Sequence, residues 1–278
     1  MEQKDKDIFE QTTKFNTGIK LYMFQTGTIK TKLKFIKMNQ GEEPFEIPVP
    51  WFLIKHPKGD VIIDGGMPIE AAIDKHKHWG SVVEAYDPVM KKSEWCRDQI
   101  KTVNTNPEDI KYVIQTHLHL DHSGAIGHFP NATHITQRLE YDYAFNPDWF
   151  SQPAYIREDF DKPNIRWKFL QGRKTDFYDV HGDGVIKIIF TPGHTPGHQS
   201  VLVNLPKTGH MLFTGDACYT EDHWCDKCLP GLVASSSDAA ESVSKLRKVA
   251  KEHDATVVWG HDPISWKIWK KAPMFYYD

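Results

Sequence analysis

The sequence predicts an α/β protein, and three observations carry that prediction. Short apolar segments with strand-like composition recur along the chain. A clear amphipathic helix lies among the later ones. Four of the apolar segments run directly into a histidine or an aspartate at their carboxyl ends, which is how α/β scaffolds usually build sites.

In order, residues 19–24 alternate partly between apolar and polar. Residues 51–54 lead through the turn Pro57-Lys58-Gly59 to residues 61–63, a hairpin that ends in Asp64-Gly65-Gly66. A helical segment is expected over about 93–103. The strand 110–116 then enters a histidine cluster. Residues 138–160 are different: Tyr141, Tyr143, Phe145, Trp149, Phe150 and Tyr155 crowd a stretch with two prolines and little periodicity. This reads as a part-helical excursion, serving as a pocket lid or a partner surface in a homodimer. Residues 185–190 lead towards His194, and 210–213 towards Asp216. A helix follows in which Asp238 can cap and Ala239, Val243, Leu246 and Ala250 form one apolar stripe. A last strand, 255–259, leads to His261. No linker or repeat interrupts the pattern, so residues 1–278 read as one domain.

With 278 residues, 40% of them hydrophobic, the chain can bury a core without disulfides. Its formal charge of −3 gives no electrostatic reason to expect nucleic acid, and Lys30, Lys32 and Lys34 alternate as on the solvent face of a strand. No segment approaches the apolar length that crosses a membrane. Four cysteines, Cys96, Cys218, Cys225 and Cys228, do not make a disulfide framework. With a charged start and no secretory segment, they point to a reducing, cytoplasmic setting. The spacing Cys225-x-x-Cys228 lacks a second pair and is read as structural.

The central signal is Thr116-His-Leu-His-Leu-Asp-His122. His117 and His119 are two apart, so an extended backbone points both to one side. Asp121 and His122 follow where the chain should turn. Imidazole nitrogen and carboxylate oxygen suit Zn²⁺, and also Mn²⁺, Co²⁺ or Fe. His194 sits in the glycine-rich run Thr191-Pro-Gly-His-Thr-Pro-Gly-His198, Asp216 ends Phe213-Thr-Gly-Asp216, and His261 ends Trp259-Gly-His261. The expected arrangement is a site of His117, His119 and His194, and a second of Asp121, His122 and His261, with Asp216 shared. Such a pair of ions keeps room for a water, as catalytic sites do. His198 is expected to orient the loop rather than to bind metal.

These stations, in this order, resemble the metallo-β-lactamase superfamily, over about residues 19–265. The resemblance implies an αββα sandwich of two mixed sheets with helices outside and metals at one edge. Within the superfamily, the segments Thr191–Ser200, Gly215-Asp-Ala-Cys-Tyr219 and Gly260-His-Asp262, with Ile47-Pro-Val-Pro-Trp-Phe52 followed by Ile63-Asp-Gly-Gly66, resemble the N-acyl-homoserine lactonases. Cys218 stands where members of that group commonly have serine. Only 17 residues follow His261, too few for the added helical domain of glyoxalase II enzymes. The resemblance implies a hydrolase that opens a lactone bearing an acyl chain by attack of a metal-bridging hydroxide. It gives Tyr219 the role of donor to the substrate carbonyl and Asp121 that of proton carrier as well as ligand. Met23, Phe24 and Trp51, with the aromatic 138–160 stretch, are the expected lining for the acyl chain. Phosphotriesterase, arylesterase or sulfatase chemistry on the same ligands, or an idle metal-binding sensor or scaffold, are the alternatives.

Overall fold

The structure, a computed structural model, describes residues 18–278. Its strands form two sheets. The first contains β1 (Lys20–Lys32), β2 (Pro44–Lys55), β3 (Asp60–Ile63), β4 (Asp87–Val89), β5 (Ile110–Ile114), β6 (Thr133–Gln137) and β7 (Arg166–Leu170), in the order β4-β1-β2-β3-β5-β6-β7. The second contains β8 (Phe177–Asp179), β9 (Ile186–Phe190), β10 (Gln199–Leu205), β11 (Gly209–Phe213) and β12 (Thr256–Val258), in the order β12-β11-β10-β9-β8. Both sheets are mixed. β1, β2 and β3 pair antiparallel, whereas β3, β5, β6 and β7 run parallel. In the second sheet only β11 and β12 are parallel. Helices α1 (Leu33–Ile36), α2 (Ile69–Trp79), α3 (Arg138–Phe145) and α4 (Ser236–Glu252) belong to the connections.

Strand periodicity explains the layers. Along β1, Leu21 and Met23 point one way and Tyr22 and Phe24 the other. The first pair joins Phe52, Ile54 and Ile63 against Ile188, Val201, Met211 and Phe213 of the facing sheet. The second pair joins Trp51, Leu53, Ile62 and Val113 beneath Trp95, Cys96, Ile100 and Val103 on the outer side. α4 covers the other outer face through Leu246, Val249 and Ala250, against Ile189, Leu202 and Leu212. Helix, sheet, sheet and helix therefore stack as the αββα sandwich. No helix among the described residues is long and apolar enough to cross a membrane.

The expected pocket lining needs correction. Met23 and Trp51 are fully buried and Phe24 is 3% exposed. Met23 packs between the sheets. Phe24 stacks on Trp51 with ring centroids 4.4 Å apart, and the Trp51 indole N–H donates to Gln99 Oε1 at 2.7 Å. All three are core residues, because strand alternation turns them into the two apolar layers rather than towards the sheet edge. The segment near 93–103 is also less regular than expected: α-helical geometry covers only Cys96–Gln99, with 3₁₀ turns on either side. Residues 138–160 hold α3, a 3₁₀ turn at Gln152–Ala154 and a short helix at Arg157–Phe160.

The cap of α4 lies one turn earlier than the sequence suggests. Ser235 Oγ accepts from the Asp238 N–H at 3.3 Å, and Asp238 stands inside the first turn. Ser235→Ala removes a partner for an orphan donor and is expected to lower unfolding stability by about 1 kcal/mol. A urea titration should show this as an earlier midpoint at unchanged slope.

Candidate metal centre

The site lies at the edge where strand ends converge. β5 leads into His117 and His119, β9 into the turn holding His194, β11 into Asp216 and β12 into His261. β3 adds Asp64, to which the sequence reading gave no role at the site. The turn at His194 depends on Gly193. Its φ is +140°, and a Cβ there would lie 2.3 Å from the Ala239 backbone nitrogen at the start of α4.

The expected residues meet in two groups. His117, His119, His194 and Asp216 form one, and Asp121, His122 and His261 the other; the ligand atoms within each group lie within 4.8 Å of one another. Asp216 joins them. Its Oδ2 lies 3.3 Å from His194 Nε2 and 3.6 Å from His117 Nε2. Its Oδ1 lies 3.2 Å from His261 Nε2 and 3.3 Å from His122 Nε2. Asp121 approaches the second group at 3.6 Å from His261 Nε2 and 3.7 Å from His122 Nε2.

Hydrogen bonds at the outer nitrogens fix which nitrogen faces inward. His194 Nδ1 donates to Leu232 O at 2.9 Å, and His261 Nδ1 to Pro48 O at 2.8 Å. His122 Nδ1 donates to Asp64 Oδ2 at 2.8 Å. His117 Nδ1 donates to Thr116 Oγ1 at 3.0 Å, and that hydroxyl passes its own proton to Asp64 Oδ2 at 2.9 Å. Each ring therefore turns Nε2 into the site, the arrangement typical of metal-bound histidine. His119 differs: its Nδ1 faces inward, 3.0 Å from His194 Nε2.

Electrostatics agree. Burial and the neighbouring imidazoles hold His117 and His119 well below the usual range, hence neutral. Burial would also depress His122, but Asp216, Asp121 and Asp64 outweigh it and hold this ring well above its usual range. Burial would raise Asp216, yet His122, His261 and His117 hold it well below the carboxylate range. The carboxylates thus draw positive charge into a buried place. Asp216 Oδ1 and His122 Nε2 have no hydrogen-bond partner there, and buried polar atoms are rarely left so. A nitrogen- and oxygen-rich set of this kind fits divalent cations.

Two further residues shape the centre. Asp64 adopts a left-handed φ of +64°, and its Oδ1 accepts from Thr116 N at 2.7 Å. It thereby orients His117 and His122 together. Its signal was an acid at the end of an apolar strand, the same pattern that marked Asp216. Asp64→Asn keeps the shape but places an amide N–H₂ against a donor. Metal affinity is expected to fall about 10- to 100-fold, read by competition with a chelator. His198 matches its expected orienting role: its Nε2 accepts from Asp216 N at 3.0 Å, and burial pushes its pKa down to about 3. His223 is occupied elsewhere, with Nδ1 accepting from Thr220 N at 3.0 Å and Nε2 donating to Ile36 O at 3.2 Å.

Above the centre opens a cavity of about 440 Å³. His119, Asp121, Asp216, Tyr219 and His261 form its polar floor. Ile29, Phe35, Ile36, Ile47, Val82, Tyr86, Leu120, Phe150 and Leu232 are among its walls. Phe150, Pro153 and Ala154 are the contribution of the 138–160 excursion that the sequence anticipated in kind. The Tyr219 hydroxyl is 3.3 Å from His194 Nδ1. That nitrogen already gives its proton to Leu232 O, so it has no lone pair to hold the phenol proton. Burial first, and then Asp216, keep the phenol protonated well above its usual range.

The metallo-beta-lactamase superfamily model matches residues 45–261. The N-acyl homoserine lactonase AttM of Rhizobium radiobacter is 59% identical over 261 residues, which is 94% of this chain and 99% of that protein. An N-acyl homoserine lactonase of Bacillus cereus is 34% identical over 221 residues, 78% of this chain and 82% of its own. A solved N-acyl homoserine lactone hydrolase, with N-hexanoyl-L-homoserine bound at its catalytic metal centre, aligns with a TM-score of 0.83 and 28% identity over 94% of this chain and 100% of that one. The chain belongs to the metallo-beta-lactamase superfamily, in the branch that its N-acyl homoserine lactonase relatives occupy.

Proposed function

We propose that this protein is a dinuclear metal-dependent hydrolase that opens the lactone ring of N-acyl homoserine lactones. One observation carries the reading: the two oxygens of Asp216 face two separate sets of ligands at the floor of a largely apolar cavity. His117, His119 and His194 would hold one ion, Asp121, His122 and His261 the other, and Asp216 would serve both. Zn²⁺ suits these donors best, with Mn²⁺, Co²⁺ and Fe also compatible. Two such cations lower the pKa of a shared water towards neutrality and polarise a carbonyl oxygen.

The chain's own residues supply the rest. Tyr219 offers its phenol proton to the carbonyl oxygen as negative charge grows there. Asp121, 13% exposed at its side chain and lining the cavity, is placed to carry a proton to the departing ring oxygen. The apolar walls remove the acyl chain from water. The names of the relatives support the substrate class. Free Cys96, Cys218, Cys225 and Cys228 suit a reducing, cytoplasmic setting.

The test is a lactone-opening assay across acyl-chain lengths, with metal content measured on the same sample and an aryl phosphate triester as counter-substrate. Acyl homoserine lactones should turn over fastest, with loss on chelation and recovery on adding metal. Faster triester hydrolysis, or no turnover by fully metal-loaded protein, would overturn the assignment.

A further inference from the structure

Glu140 lies in the first turn of α3, outside both ligand groups, and is completely buried. Its Oε1 accepts from the Leu118 backbone N–H at 2.9 Å and from the Tyr155 hydroxyl at 3.1 Å. Its Oε2 accepts from the Thr195 hydroxyl, and the Gly197 backbone N–H also donates to the carboxylate. An ionised carboxylate is acceptor-only, and all of these partners donate.

The partners are not a random set. Leu118 sits between His117 and His119. Thr195 follows His194. Tyr155 sets its ring against the His119 imidazole, with centroids 4.6 Å apart. The approach is close: a Cβ at Gly197 would lie 2.1 Å from the Glu140 backbone nitrogen. Three of the four donors to the Glu140 carboxylate, Leu118, Thr195 and Tyr155, therefore flank or touch a ligand of one ion, and the fourth, Gly197, lies in the same turn as His194. The second group is held by other partners, with His122 on Asp64 and His261 on Pro48 O.

We propose that Glu140 is a positioning residue for one metal alone, fixing the loops of His117, His119 and His194 relative to each other while leaving the Asp121–His122–His261 ion unaffected. The inference rests on the two-cation reading of the centre. Outer partners of metal ligands commonly contribute 10- to 100-fold in affinity, so Glu140→Gln should show that loss at one ion and not at the other.

The experiment uses zinc-loaded protein dialysed against graded chelator, with zinc per chain counted at each step. Wild type must first hold two ions; if it does not, the two-cation reading fails, independently of Glu140. In Glu140→Gln, one ion should leave at about 10- to 100-fold lower chelator strength and the other at the wild-type position. Tyr155→Phe removes a single donor without touching the carboxylate, and should shift the same ion by a smaller factor. The assignment is made by adding Glu140→Gln to two backgrounds. With Asp121→Ala and His261→Ala present, the remaining ion should weaken by the same factor. With His194→Ala present, it should not change. Parallel release of both ions in Glu140→Gln, wild-type retention of both, or equal weakening in the two backgrounds would overturn the proposal.

Discussion

Asp216→Ala should reduce kcat/KM for an acyl homoserine lactone by about a thousandfold or more. The reasoning starts from geometry. Among the described residues, Asp216 is the one carboxylate whose two oxygens meet both ligand groups, at 3.3 Å on one side and 3.2 Å on the other. It is 3% exposed, and a neutral water in its place would not carry its charge. Removing it leaves the four imidazoles it meets without their shared anion, and would leave two bound cations without the charge that screens them. Metal-assisted hydrolysis draws several kcal/mol from that arrangement, and each 1.36 kcal/mol is tenfold in rate. The loss should appear with metal content below two ions per chain. The fold should persist, because the core packs between and outside the sheets rather than through this edge. Circular dichroism and a thermal melt on the same sample separate metal loss from unfolding.

Tyr219→Phe is expected to lower kcat by about a hundredfold, the usual scale for deleting one donor to a developing oxyanion. KM should stay within a few-fold, since an interaction realised only in the transition state does not hold the ground state. Phenylalanine keeps the ring where it packs edge-on against His194 and at 5.5 Å from His261. A role confined to packing would therefore leave kcat unchanged. Because the phenol is held protonated well above its usual range, it remains a donor across neutral pH, and the substitution should not create or remove an alkaline limb. Steady-state kinetics from pH 6 to 9, roughly the neutral span, check both points.

Much of the centre was legible because strand ends and ligand spacing are local properties. His117 and His119 fall on one side by the two-residue period. His194, Asp216 and His261 each close an apolar run, and the structure brings all of these together with Asp121 and His122. The pocket was not legible in the same way. Met23, Phe24 and Trp51 were attractive as large apolar residues near the motif, yet alternation along β1 and β2 sends them into the core. The actual walls, such as Phe35, Tyr86 and Leu232, come from connections whose meeting is set only by tertiary packing. Glu140 was hidden for the same reason: an acid in a helix normally reads as a solvated face, and only the fold reveals its buried donors. The α4 cap shows a smaller failure of this kind. Ser235 and Asp238 are both good capping residues, and the path of the preceding loop decides between them.

The most direct measurement is anomalous X-ray scattering from crystals of the protein loaded with Zn²⁺ and collected at the zinc edge. Two peaks should appear, one beside His117, His119 and His194 and one beside Asp121, His122 and His261, with a different oxygen of Asp216 reaching each. A single peak, or two with Asp216 touching only one of them, would contradict a centre built on one shared carboxylate.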